Sequence, residues 1–365
     1  AIRNIHFPEN TDALERARRR LMFEQLFVLS ATLCMKKAQR TLSGARALES
    51  SDLSSFTALL PYEMTDAQKR SVGEIASDLA RRVPMKRILC GDVGSGKTVC
   101  AFAAAYIAVK SGAQAALMAP TEILAKQHYA EAKPLFEKLG FTVSLLCGSM
   151  TKAQKDKTRR MLEGADGERI DFIIGTHALL SPDISYQSLG LVVTDEQHRF
   201  GVRQRSQLQH KGESDGVFPH VLVMSATPIP RTLALILYGD LDVSVVDELP
   251  PGRTPVSTRI VPEEKRADMY GFVRKEVAMG RQAYIVCPLV EDSEALEEVK
   301  SATAQYHALT TGPLSGLRVG LTYGKQPGEE KERTLEAFAQ GNLDVLVSTT
   351  VIEVGVNVPN ATLMI

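Results

Sequence analysis

The sequence predicts an α/β protein with two tandem domains, each built on a parallel sheet, preceded by a helical connector. Three observations carry that reading. Short apolar or β-branched runs without strict alternation recur from about residue 60, separated by stretches of helical periodicity. Strands covered on both faces by helices read this way. A Pro-rich stretch near residues 250–255 interrupts the rhythm, which then restarts. Finally, 365 residues exceed what one ordinary core fills.

Taken in order, residues 11 to about 40 read as one long amphipathic helix. Leu14, Ala17, Leu21 and Val28 fall near helical spacing, and Met22, Leu26, Leu29 and Leu33 widen the apolar stripe. Arg16, Arg18, Arg19 and Arg20 decorate the other side as a solvated face. Residues 41–57 are Ser-rich and carry Gly44, which predicts a loop, so that 1–59 forms the helical connector. The first domain, 60–240, offers strands at 87–90, 113–119, 143–147, 171–175, 191–196 and 220–226. Around 240–257, Pro250, Pro251, Gly252 and Pro255 predict a stiff connector. The second domain, 241–365, offers strands at 257–261, 283–287, 317–323, 344–349 and 362–365.

Composition excludes several classes without choosing a function. Hydrophobic residues at 44% and charged residues at 24% match a globular protein rather than a disordered one. Lys+Arg and Asp+Glu both number 43, so any basic surface for nucleic acid must be local. No apolar run approaches a membrane span, and the N-terminal stretch lacks the apolar segment of a secretory signal. The five cysteines are scattered with no metal-ligand spacing, which predicts reduced thiols in a cytoplasmic protein. Cys90 and Cys147 read as small core residues, and His177 and His198 fit no zinc signature.

The strongest chemical signal is Gly91-Asp92-Val93-Gly94-Ser95-Gly96-Lys97-Thr98, which fits GxxxxGK[ST] between a strand and a helix. Such glycines let backbone N–H groups and the helix N-terminus surround phosphate oxygens. In that pattern Lys97 reaches the β- and γ-phosphates and the Thr98 hydroxyl binds Mg²⁺. About a hundred residues on, the apolar run Leu191-Val192-Val193-Thr194 ends in Asp195-Glu196. Asp195 is placed to hold Mg²⁺, and Glu196 to take a proton from the attacking water. The two motifs together predict an Mg-ATP hydrolase.

Asp195-Glu196-Gln197-His198 resembles the DExH signature of superfamily-2 helicases, and further motifs along the chain agree. The resemblance implies two RecA-like P-loop domains using ATP and Mg²⁺. Thr65 and Gln68 are similar to the glutamine motif, whose Gln reads adenine. The stretches holding Pro120 and Thr121, and Thr176 and His177, resemble motifs that contact the nucleic-acid backbone. Ser225-Ala226-Thr227 is similar to the motif coupling hydrolysis to strand movement. Ser348-Thr349-Thr350 through Gly355-Val356-Asn357 resembles the motif between ATP and the bound strand, although the family usually has Asp in place of Asn357.

The stretches Asp195–Arg205, Ala226–Leu233 and Asp247–Pro255 are similar to the RecG family of bacterial DNA translocases. The transcription-repair coupling factors share the first two stretches but not the third. The resemblance implies ATP-driven remodelling of branched double-stranded DNA by a monomer, with no membrane association. It also implies a motor portion of a longer protein, lacking a preceding wedge domain and a following arginine motif. Residues 1–365 alone would then hydrolyse ATP slowly. Locally, Thr151–Arg160 carries five basic residues against one acid, and Arg199 and Arg203 follow the catalytic acids. Phosphate contacts or solvated helices both account for the first stretch, whereas the second matches the RecG pattern. The alternatives are an RNA-directed DExH helicase and a binding module without turnover.

Overall fold

The computed structural model describes residues 1–40, 44–49, 52–195, 217–225, 241–250, 256–287, 295–323, 326–349 and 358–365. The chain divides into two compact units, 1–253 and 254–365. Both hold parallel sheets, as the apolar runs predicted.

The first unit opens with helices α1 (Ile2–His6) and α2 (Thr11–Arg40), a two-residue strand β1 (Gly44–Ala45) and a short helix α3 (Ser54–Thr57). Its main elements then alternate: α4 (Asp66–Leu79), β2 (Lys86–Gly91), α5 (Lys97–Lys110), β3 (Gln114–Met118) and α6 (Glu122–Lys138). They continue as β4 (Val143–Leu146), α7 (Lys152–Leu162), β5 (Phe172–Gly175) and β6 (Leu189–Thr194). After β7 (Val217–Phe218), which pairs with β1, come β8 (His220–Ser225) and β9 (Asp242–Val246). Seven of these strands form one sheet in the order β4-β5-β3-β6-β8-β2-β9, with every pairing parallel. Because all strands run the same way, their C-terminal ends share one edge.

Local chemistry explains the elements. Every residue of β3, β6 and β8 is buried, so these runs carry no polar alternation. Helix α5 is buried from Val99 through Val109, and its alanines permit close approach to the sheet. Helix α4 starts at a capping box: the Thr65 side chain accepts the Gln68 N–H, and the Gln68 side chain accepts the Thr65 N–H.

Three expectations need correction. The second domain was expected from residue 241, but β9 belongs to the first sheet, and the units divide between Arg253 and Thr254. Pairing with β2 satisfies the β9 backbone, and Arg87 of β2 donates to Ser244 at 2.7 Å, Glu74 at 3.0 Å and Asp78 at 2.7 Å. That buried cluster of charges holds β9 and α4 on the sheet edge. Residues 257–260 form no strand, and Ile260 is 98% exposed. The connector also does more than join. Leu48 and Phe56 are fully buried, with Phe56 stacked 5.5 Å from Tyr106 of α5. Helix α2 spans the predicted range, but only Ala13 and Ala17 of its apolar stripe bury, while Met22, Leu26 and Val28 stay exposed.

His220 pins this arrangement at the start of β8. Its Nδ1 accepts the Met85 N–H at 3.0 Å, and its Nε2–H donates to the Arg46 carbonyl at 2.8 Å. Both bonds require the neutral ring. Burial pushes the imidazole below its ordinary value, outweighing the Arg46 carbonyl and the Asp78 charge, which pull it up. The unfolded ring takes a proton near pH 6.5, whereas the folded ring resists it until lower pH. Stability is therefore expected to fall as the pH drops through about 6.5, by at most ~1.4 kcal/mol per pH unit from this group. Urea unfolding across that range should show a flatter pH dependence in His220→Gln than in the unsubstituted protein.

The second unit is smaller. Its sheet runs β11 (Val319–Thr322), β12 (Val345–Thr349), β10 (Gln282–Cys287) and β13 (Ala361–Met364), all parallel. Val273, Ile285, Leu309, Leu314, Val345 and Val347 fill its core between the sheet and helices Arg266–Ala278 and Ala295–Thr311.

Candidate nucleotide and nucleic-acid site

The phosphate-loop residues sit where strand becomes helix. β2 ends at Gly91 and α5 begins at Lys97, with Asp92, Val93 and Gly94 exposed at the loop tip. Gly94 and Gly96 have φ of 76° and 84°, the left-handed region that favours glycine. A side chain on Gly96 would also collide with the Gln68 amide nitrogen, so two constraints demand glycine there. Gly96 is the N-cap of α5 and supplies no side-chain cap, so no side chain caps the first-turn N–H groups. Ser95 is fully buried, and among the described residues its hydroxyl has no partner. Left-handed glycines, an uncapped helix start and an unpartnered hydroxyl suit phosphate oxygens.

Lys97 Nζ donates to the carbonyls of Gly91 and Asp92, each at 2.8 Å. The lysine thus folds back over its own loop, where it can exchange these carbonyls for phosphate oxygens. Thr98 follows on the first turn of α5. Gln68 is buried, and its Nε2 donates to the Ser95 carbonyl at 2.8 Å while its Oε1 accepts from Thr65. It therefore ties the α4 cap to the phosphate loop, a role that sequence alone did not reveal.

Asp195 follows the last residue of β6, and its N–H donates to the Met118 carbonyl at 2.9 Å. Strand β8 lies between β6 and β2, so Asp195 and the phosphate loop stand two strands, about 10 Å, apart along one edge. Ser225 ends the strand between them. On the other side of β6, β3 leads into Pro120 and Thr121, and β5 leads into Thr176 and His177. The Thr121 hydroxyl caps α6 by accepting the Leu124 N–H at 3.4 Å. Thr176 is buried with an unpartnered hydroxyl, and His177 is exposed. One sheet edge thus carries the predicted ATP residues on β2, β8 and β6 and the predicted nucleic-acid residues on β3 and β5.

In the second unit, Thr349 ends β12, buried, with its hydroxyl unpartnered among the described residues. Glu196, Arg199, Arg203, Gly355 and Asn357 lie outside the described residues. Of the basic stretch on α7, Arg159 pairs with Asp156 and Asp183, both at 3.3 Å, and Lys155 donates to the Gly148 carbonyl. Cys90 and Cys147 are buried as expected. Burial pushes the thiol of Cys100, behind the phosphate loop, up to about 12.

Two further contacts escaped the sequence reading. Glu248 accepts the Ala67 N–H at 3.0 Å, and Asp247 pairs with Arg70 at 2.6 Å, so the acids after β9 hold the N-terminal end of α4. His128 of α6 meets Asp195, with Nε2 at 2.8 Å from Oδ2.

The DEAD/DEAH box helicase family matches residues 65–236, and the helicase conserved C-terminal domain family matches 264–365. The chain is 46% identical, over its full length, to the ATP-dependent DNA helicase RecG of Synechocystis, and 46% identical over 99% of its length to that of Thermotoga maritima. A solved structure of RecG bound to a three-way DNA junction covers 99% of the chain at 43% identity, with a TM-score of 0.84. The chain belongs to the RecG family. It spans about half the length of these relatives, covering 43% of the Synechocystis protein and 46% of the Thermotoga protein. Each helicase match in this RecG-family chain lies within one compact unit. Yeast Dbp5 bound to RNA and ADP BeF3 shares the fold alone, at 18% identity and a TM-score of 0.58.

Proposed function

We propose that the chain is an ATP-driven motor that moves on double-stranded DNA and remodels branched structures such as forks and four-way junctions. The observation that carries this reading is the shared sheet edge, where nucleotide residues and backbone-contact residues stand on neighbouring parallel strands. Identity above 40% to RecG proteins supports branched DNA rather than RNA as the substrate.

In this reading the α5 N-terminus and the loop Gly91–Gly96 hold the ATP phosphates. Lys97 releases the Gly91 and Asp92 carbonyls and turns to the β- and γ-phosphates. Thr98 and Asp195 would hold Mg²⁺, which neutralises phosphate charge when bound. Glu196 accepts the proton of the attacking water. Gln68 reads adenine through its second amide hydrogen and second lone pair, since one of each is already used internally. Gly355 and Asn357 face the nucleotide from the second unit. Pro120, Thr121, Thr176, His177, Arg199, Arg203 and Thr349 contact the DNA backbone. The protein works as a cytoplasmic monomer; among the described residues, no helix is long and apolar enough to cross a membrane.

Steady-state phosphate release with forked DNA or with RNA tests the substrate, and stimulation by RNA alone would overturn it. Backbone contacts carry no base sequence, so affinity for forked DNA is expected to fall steeply with salt and to vary little with sequence. Arg199→Ala or Arg203→Ala should each flatten the log–log salt slope by about 1. Fluorescence anisotropy on forks of two unrelated sequences, titrated with salt, checks this directly.

A further inference from the structure

His128 is buried on α6, one turn beyond Leu124, and no part of the proposed mechanism uses it. Its Nε2 lies 2.8 Å from Asp195 Oδ2, while its Nδ1 is buried and, among the described residues, has no partner. That asymmetry decides the tautomer. A proton on Nδ1 alone would bury an unpaired N–H and turn the Nε2 lone pair toward a carboxylate oxygen. A proton on Nε2 makes one bond to an anionic acceptor and buries only a lone pair.

The imidazole is itself held in place. Its ring meets the edge of Phe102 at 6.4 Å and 80°, and Phe102 packs on Phe136 and Phe172 at 6.2 and 6.1 Å. A rigid aromatic cluster therefore fixes the donor, and the donor fixes one oxygen of Asp195. The Asp195 N–H is held separately by Met118 on β3, so backbone and side chain are each restrained.

We infer that His128 is a positioning residue: it donates Nε2–H to Asp195 and presets the carboxylate for the metal ion that accompanies the nucleotide. This rests on the proposed role of Asp195 in holding that ion. Partners that orient a ligating carboxylate are worth about 10–100-fold in metal affinity or activity.

The test compares His128→Phe and His128→Leu, which remove the donor, with His128→Gln, which keeps an N–H at the same reach. Mn²⁺ affinity in the presence of ADP is read by electron paramagnetic resonance, and ADP affinity without metal by calorimetry. Asp195→Ala is run alongside, and thermal melting identifies which variants fold. The donor-less variants are expected to weaken Mn²⁺ binding by about tenfold or more, leaving metal-free ADP binding within about twofold. His128→Gln should recover most of the loss. Unchanged Mn²⁺ affinity in a folded donor-less variant overturns the inference, as does a folded Gln variant as weak as Phe, which would make the role one of packing. If Asp195→Ala itself leaves Mn²⁺ affinity intact, the metal role of Asp195 fails first.

Discussion

Lys97→Ala is expected to lower ATP hydrolysis by a factor on the order of 10²–10³, and the DNA affinity by no more than a few-fold. Removing one positioned donor from a developing negative charge costs about 2.7–4 kcal/mol of barrier. In the structure the ammonium lies over the phosphate loop, donating to Gly91 and Asp92, rather than toward the strand ends that carry Thr121 and Thr176. Truncation leaves those two carbonyls without this donor. Lys97→Arg is a useful companion, because it keeps the charge but not the compact ammonium that fits between the carbonyls. Phosphate release and fork binding, measured on the same preparations, separate the two effects. Unchanged turnover in Lys97→Ala would remove the phosphate-loop assignment.

Glu196→Gln is expected to keep nucleotide binding and slow turnover by about 10²–10⁴-fold, the usual worth of a general base. The amide keeps the size and one acceptor of the side chain but cannot take up the water proton. The expected signature is a fall in kcat with KM for ATP changed by no more than a few-fold. A raised KM with normal kcat would make Glu196 a binding residue and leave the base unassigned. Glu196 follows Asp195, whose carboxylate His128 holds, so substitution of the neighbour should not release the metal-facing acid.

Much of the protein is legible because its chemistry is local. The glycines of the phosphate loop, the lysine and the capping box at Thr65 are dictated by backbone geometry within a few residues. Gly96 shows the limit of that reading. Its positive φ is a local demand, but the Gln68 amide that forbids a side chain there arrives from 28 positions away. Gln68 read in sequence as an adenine contact, while its bonds to Thr65 and Ser95 make it first a tie between two loops.

Burial of continuous apolar runs on both faces is a one-dimensional pattern, so the sequence by itself determined the parallel α/β class, the tandem arrangement and the two ATP motifs. It could not determine which strands are neighbours, because strand order depends on backbone pairing between segments far apart in the chain. That pairing assigned β9 to the first sheet, through Arg87 and its partners Glu74, Asp78 and Ser244, and moved the boundary to residue 253. It also brought His128 to Asp195 across 67 positions and Glu248 to the start of α4 across 181. A side chain's partner is set by the sheet that carries both residues, and only the folded chain places them within hydrogen-bonding distance.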